Sequence, residues 1–287
     1  MANAMNTLVE SGTKPKTKLS VALKSEGMQR MLSAAFNGDK KAMMKFTSDL
    51  MAVATTNPTL STCDPTSLVS VGLQASSMNL SMLPSLGEAY AVPYGDKAQF
   101  QVGKNGLVQL AIRTGQYLDI DSMEIRKGEY KGRDKATGKY VFEFIEDDEK
   151  REELPVVGYM AYFEMLNGFR KVVYFSKEKM LSWAKRYSKA FDTELHKKYE
   201  AFLRTGTGLT KDEEKKCSSP WYSSFDAMGE KTVLKQLLSK WGVKSTELIS
   251  ALAQDEVYEA RDAADDFFAP AEEEVEKPKA EEDFFEA

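Results

Sequence analysis

The chain of 287 residues has one histidine, His196, and two cysteines, Cys63 and Cys217. A lone imidazole in a charged helical stretch, with no ligand or triad partner at a recognisable spacing, reads as a surface residue rather than acid–base or metal chemistry. The two cysteines have neither a metal spacing nor a disulfide framework, which fits a reducing, cytoplasmic setting. No run of about 18 apolar residues occurs, so no membrane-spanning helix is expected. The opening stretch, MANAMNTLVESGTKPKTK, lacks the apolar core of a secretory signal. G-x-x-x-x-G-K-[ST] is absent, which argues against a P-loop ATPase, and no G-x-S-x-G or Cys/His pattern supports acyl transfer. Asp119-x-Asp121 and the acid run Glu146 to Glu149 could attract a divalent cation, but such runs are mostly solvated surface. No cofactor is expected, and the sequence does not read as an enzyme.

What the chain does have is an uneven charge. From Asp255 to Ala287 there are 14 acids and 3 bases, so residues 1–254 keep 36 of the 39 bases and 30 of the 44 acids. The body is basic and the tail acidic, a pattern expected of a polyanion-binding body with a competing tail. Residues 1–24 are polar and Lys-rich and read as a flexible arm, residues 25–253 as the folded body, and 254–287 as a disordered acidic tail. Within the tail Asp265-Asp266-Phe267-Phe268 is echoed by Glu282-Asp283-Phe284-Phe285.

The first third reads as helical. Met28, Met31, Leu32, Ala35 and Phe36 recur at helical spacing, the pattern breaks at Asn37-Gly38 and resumes to Met51. Asp64 and Pro65 then mark the N-cap and first residue of a helix reaching Met78. The middle reads as strands: a hairpin carrying Lys127, Lys131, Arg133, Lys135 and Lys139, then a second one around Asn167-Gly168. Helices return after Ser176, with a last long one over Phe225 to Trp241. Phe100, Phe142, Phe163 and Trp241 are expected in the core.

The stretch from Leu86 to Tyr117 organises the rest. After a turn at Gly95-Asp96, Ala98, Phe100 and Val102 alternate with Lys97, Gln99 and Gln101, as in a half-buried strand with a cationic, amide-rich wet face. Gly103-Lys104-Asn105-Gly106 leads into a helix with Leu107, Val108, Ala111 and Ile112 inward and Gln109 and Arg113 outward, ended by Gly115. A glycine-flanked turn with a lysine, feeding a helix N-terminus, suits a phosphate, the glycines letting it approach the main chain. The same four residues fit the G-x-x-G loop of KH domains, but a strand rather than a helix precedes them. Aromatic residues including Tyr90, Tyr94 and Phe169 lie close in sequence to these cations, the combination single-strand binders use.

Assembled, these segments resemble the RecT family of phage-type single-strand annealing proteins. The resemblance rests on Asn79-Leu80, Leu86-Gly87-Glu88-Ala89-Tyr90, Val92-Pro93-Tyr94, Lys97 to Gln101, Gly103 to Gly106, Gln109-Leu110-Ala111 and Arg113 to Gln116. Later blocks are Val157-Gly158-Tyr159, Asn167-Gly168-Phe169 and Trp221 to Lys235. Lys104 stands where the family often has an aromatic, and residues 192–217 look like an insertion. The resemblance implies an α+β fold with a hairpin-rich antiparallel central sheet flanked by helices. It also implies ATP-independent binding of single-stranded DNA, annealing to duplex, and a homo-oligomeric ring or helical filament. A partner exonuclease and a host single-strand-binding protein are the protein partners expected.

On this reading Lys97, Gln99, Gln101, Lys104, Asn105, Gln109 and Arg113 form a groove floor beside Tyr90 and Tyr94. Arg170, Lys171, Lys231 and Lys235 line its walls, and the hairpin from Lys131 to Lys139 reaches DNA or a neighbouring subunit. The alternative is a non-annealing adaptor that binds proteins through its acidic Phe-Phe tail.

Overall fold

The computed structural model describes residues 18–188 and 191–256; the expected tail behaviour of residues 257–287, the Phe-Phe repeat and the first 17 residues lie outside that range. Order begins earlier than the sequence suggests. Leu19–Ala22 (α1) is a single turn, and Leu23 just after it is buried in the core, so Leu19 to Lys24 belong to the body rather than to an arm. Ser25 caps Glu26–Ala35 (α2), and Asn37 and Gly38, both at positive φ, make the break before Asp39 caps Lys40–Thr56 (α3). A 3-10 turn, Pro58–Thr62, leads to Pro65–Ser77 (α4), where Asp64 accepts hydrogen bonds from the N–H groups of Thr66 and Ser67.

Ala89–Tyr94 (β1) and Lys97–Val102 (β2) form a two-stranded antiparallel hairpin turned by Gly95 at φ 59°. Lys104–Ile112 (α5) follows. Leu107, Leu110 and Ala111 are its buried stripe, and Ile112, expected inward, is 51% exposed. At 100° per residue Ile112 lies well round the helix from Leu107, whereas Leu110 and Ala111 share its face.

Tyr117–Arg126 (β3), Tyr130–Arg133 (β4), Tyr140–Phe142 (β5), Asp148–Glu153 (α6), Val156–Met165 (β6) and Arg170–Ser176 (β7) make the middle of the chain. The central sheet has the order β3-β6-β7, antiparallel throughout, while β4 and β5 pair only with each other. That ribbon is anchored at its base by Glu129, whose carboxylate has no exposure and takes Arg151 Nε at 2.6 Å and the Arg126 N–H at 2.7 Å. Burial alone would raise the Glu129 pKa; the guanidinium and the backbone donors outweigh it and hold the acid below its ordinary range.

Helices close the fold: Lys177–Tyr187 (α7), Thr193–Thr205 (α8), Lys211–Lys216 (α9), Pro220–Ser223 (α10), Phe225–Trp241 (α11) and Thr246–Glu256 (α12). α11 crosses β6, β7 and β3, and Gly229 lets it sit against the Tyr159 ring, where a Cβ would come within 2.8 Å. Its residues from Thr232 to Leu238 are all buried, because α5 and α12 cover the side the sheet leaves open. His196 is not a surface residue: it is 3% exposed, with Phe225, Phe191 and Tyr222 ring centres at 4.7, 5.3 and 6.1 Å. Burial pushes its pKa down, opposed by Glu200 3.7 Å from Nε2. Trp241, expected in the core, is 44% exposed. One continuous apolar cluster runs from Leu23 to Leu252. Among the described residues no helix is long and apolar enough to cross a membrane.

Candidate nucleic-acid interface

The register of the first hairpin sorts its side chains. Tyr90 faces Gln101, Val92 faces Gln99 and Tyr94 faces Lys97, and partners across an antiparallel pair share a face. Ala89, Ala91, Ala98, Phe100 and Val102 occupy the other face, buried against α4. Five of the expected contact residues, Tyr90, Tyr94, Lys97, Gln99 and Gln101, are therefore brought together on one face, the tyrosines and Lys97 exposed and the two glutamines half-buried, with the Gln99 side-chain oxygen wholly covered. Tyr90 and Tyr94 are 39% and 41% exposed, and Gln101 Nε2 donates to the Tyr94 hydroxyl at 3.2 Å. Partial burial raises the Tyr94 pKa; the Gln101 hydrogen bond works against this, and the charge of Asp255 adds to it.

The residues on α5 diverge. Lys104 Nζ donates to the Ser122 carbonyl at 2.9 Å and to the Glu230 carboxylate, with Asp121 3.9 Å away, so it ties α5 to β3 and α11. Asn105 points the other way and donates to the Leu86 carbonyl at 2.8 Å. Gln109 is half-buried, and Arg113 at the far end donates to the Met78 carbonyl at 3.0 Å. Arg113 also lines a pocket of about 310 Å³ with Met78, Asn79, Ser245 and Glu247. The glycines serve packing rather than a ligand: a Cβ at Gly103 would collide with the Gly87 carbonyl, and one at Gly106 with the Glu88 carbonyl.

On β7, Arg170 is exposed and pairs with Glu164 at 2.8 Å, while Lys171 sits 4.0 Å from the centre of the Trp241 ring, a cation–π contact. Lys231 and Lys235 turn inward, to Asp255 on α12. Sequence reading placed Asp255 in the acidic tail. The signal that it belongs to a helix was the spacing Leu248, Ala251, Leu252, Asp255, which marks one face. A second aromatic group was only partly legible: Tyr130, Tyr140, Phe142 and Phe144 on and just after the β4–β5 ribbon gather around Tyr174 of β7, with Tyr130 and Tyr174 stacked at 4.5 Å. The Arg133 guanidinium lies 5.0 Å from the Tyr140 ring centre. Among the described residues no three His, Cys, Asp or Glu side chains come together to hold a metal ion.

The fold and this face together define a mixed α+β protein with a tyrosine- and amide-rich hairpin beside a helix-backed antiparallel sheet. The sequence profile of the RecT family matches residues 44–270, and the chain belongs to that family. It is 36% identical over 216 residues to the uncharacterized protein YqaK of Bacillus subtilis (strain 168), covering 75% of this chain and 65% of that one. It is 24% identical over 225 residues to Protein RecT of Escherichia coli (strain K12), covering 72% of this chain and 70% of that one. The chain thus spans slightly less than two thirds of the length of its Bacillus relative.

Proposed function

We propose that the chain binds single-stranded DNA on the outer face of the β1–β2 hairpin and anneals it to a complementary strand, without ATP, in phage-type homologous recombination. The observation that carries this is the shared face of Tyr90, Tyr94, Lys97, Gln99 and Gln101, flat rings beside a cation and two amides, with no acid among these strand positions. Membership of the RecT family supports the same reading. Asn105, Gln109, Arg113, Arg170 and Lys171 are kept as further contacts outside that face. Such a face holds phosphates and leaves base edges free to pair, so sequence is read by the partner strand and not by the protein. The chemistry is screening and positioning, with no bond made or broken.

The working state is a homo-oligomeric ring or helical filament in the cytoplasm, acting beside an exonuclease and a host single-strand-binding protein. Annealing of complementary oligonucleotides at a series of salt concentrations tests the scheme. Binding should weaken with added salt, the slope changing by about 0.7 for each phosphate held. A salt-independent rate would refute it. The acidic Phe-Phe repeat favours a second reading, a non-annealing adaptor. Removing residues 257–287 separates the two: annealing survives the deletion in the first and no activity of the parent survives it in the second.

A further inference from the structure

Between α11 and α12 lies a buried anion seat. Lys231 and Lys235 are one turn apart on α11, and their Nζ atoms lie 3.2 and 3.1 Å from the two carboxylate oxygens of Asp255. Lys235 is 3% exposed and Asp255 6%. Burial would raise the Asp255 pKa, but the two ammonium groups hold it below the ordinary range, so the seat holds an anion. Two ammonium donors, one to each oxygen of a carboxylate, suit the two non-bridging oxygens of a phosphodiester equally well.

The occupant is weakly held by its own helix. Asp255 lies in the last described turn of α12, and that turn contains no basic residue. Leu248, Ala251 and Leu252 pin α12 inward through its earlier turns, over β2, α5 and α11. The turn that carries Asp255 has no such apolar anchor beyond Leu252 among the described residues, so it is the least held. The last turn also stands next to the hairpin face, close enough for the Asp255 charge to act on Tyr94.

We propose that the Lys231–Lys235 pair is a binding site for a nucleic-acid phosphate, occupied in the strand-free chain by Asp255, and that a strand on the β1–β2 face takes the seat as the last turn of α12 opens. The exchange is one anion for another, and it rests on the reading of that face as a single-strand floor. The two lysines are then conditional contacts, available only once the chain's own acid has left.

The test measures binding of the full chain to oligothymidylate over a range of salt, for the parent, for Asp255→Asn, and for Lys231→Met, Lys235→Met, Asp255→Leu combined. Removing the resident charge should tighten binding about tenfold at fixed salt. The triple variant keeps an apolar interior of similar volume, a replacement proteins tolerate. It should bind more weakly than the parent and lose about 0.7 from the salt slope for the phosphate no longer held. In the parent, amide exchange over residues 253–256 should quicken when oligothymidylate is saturating. A folded Asp255→Asn variant that binds no better than the parent, a triple variant with the parent's slope, or unchanged exchange overturns the seat. If Asp255→Asn does not fold, the triple variant and the exchange experiment decide. A parent that fails to bind oligothymidylate sinks the floor reading as well, whereas a parent that binds beside unaltered variants sinks the seat alone.

Discussion

Tyr90 and Tyr94 give the sharpest test of the hairpin face. They lie four residues apart on one side of β1, about 13 Å at roughly 3.3 Å per residue. That is about four times the 3.4 Å base spacing along a stacked strand, so the two rings meet different bases. Sites farther apart than about 10 Å act additively. Stacking on an aromatic side chain is worth about 1–3 kcal/mol per base. More than half of each tyrosine is already covered, at 39% and 41% exposure, which favours the low end. Tyr90→Ala or Tyr94→Ala should therefore cost about 1 kcal/mol, a fivefold loss, and the double variant about thirtyfold. Tyr94→Phe keeps the ring and gives up the hydrogen bond from Gln101, so it should stay near the parent. Fluorescence anisotropy with labelled oligothymidylate reads all four variants. The tyrosine variants should leave the salt slope unchanged because they release no counterions, whereas Lys97→Ala should flatten it by about 0.7. A double variant with the parent's melting temperature and an affinity within about twofold of the parent would refute the assignment of this face.

Two further outcomes concern the scaffold. Gly106→Ala sets a Cβ against the Glu88 carbonyl, a backbone atom that cannot swing aside, and should cost about 3 kcal/mol, the upper end for overpacking; by thermal melting that is a fall of about 6–12 °C. His196 has its folded pKa held below 6.5 by burial, so the unfolded chain takes up its proton first; the stability it leaves intact above 6.5 is lost as pH falls through that value. His196→Phe, which suits the cage of Phe191, Tyr222 and Phe225, should reduce the drop in melting temperature between about pH 7.5 and about pH 5.5, and an undiminished drop would count against a neutral buried imidazole.

Much of the fold was legible because its signals are local. Asp64 and Pro65 start α4, Ser176 caps α7, Asn167-Gly168 turns β6 into β7, and α11 has the limits its apolar residues mark. The alternation in Lys97 to Val102 likewise gave the two faces of β2. What failed was anything decided by long-range cover. Lys231 and Lys235 read as a basic stripe on the groove wall, yet α12 lies over that stripe, and no local pattern on α11 announces it. His196 failed for the same reason, since the aromatic residues around it come from three separate segments. Gly103 to Gly106 shows a subtler limit. Its residue types did mark a tight turn into a helix, but the close approach is to the chain's own Gly87 and Glu88, and Lys104 spans to Glu230 instead of facing the hairpin's outer side.

These internal pairings bear on how such a protein could both hold and release a strand. Of the basic residues expected in the groove, Lys104 is tied to Glu230, Arg170 to Glu164, and Lys231 and Lys235 to Asp255. A phosphate that recruits any of them must displace a carboxylate, so each such contact adds less affinity than an unpaired cation would. Each subunit then grips lightly, through two rings, amides and a few cations not bound to an acid. A light grip suits annealing, because the product duplex must leave the floor that aligned its strands. Tightening one contact, as Asp255→Asn should, would on this argument raise affinity for the single strand while slowing release of the annealed product.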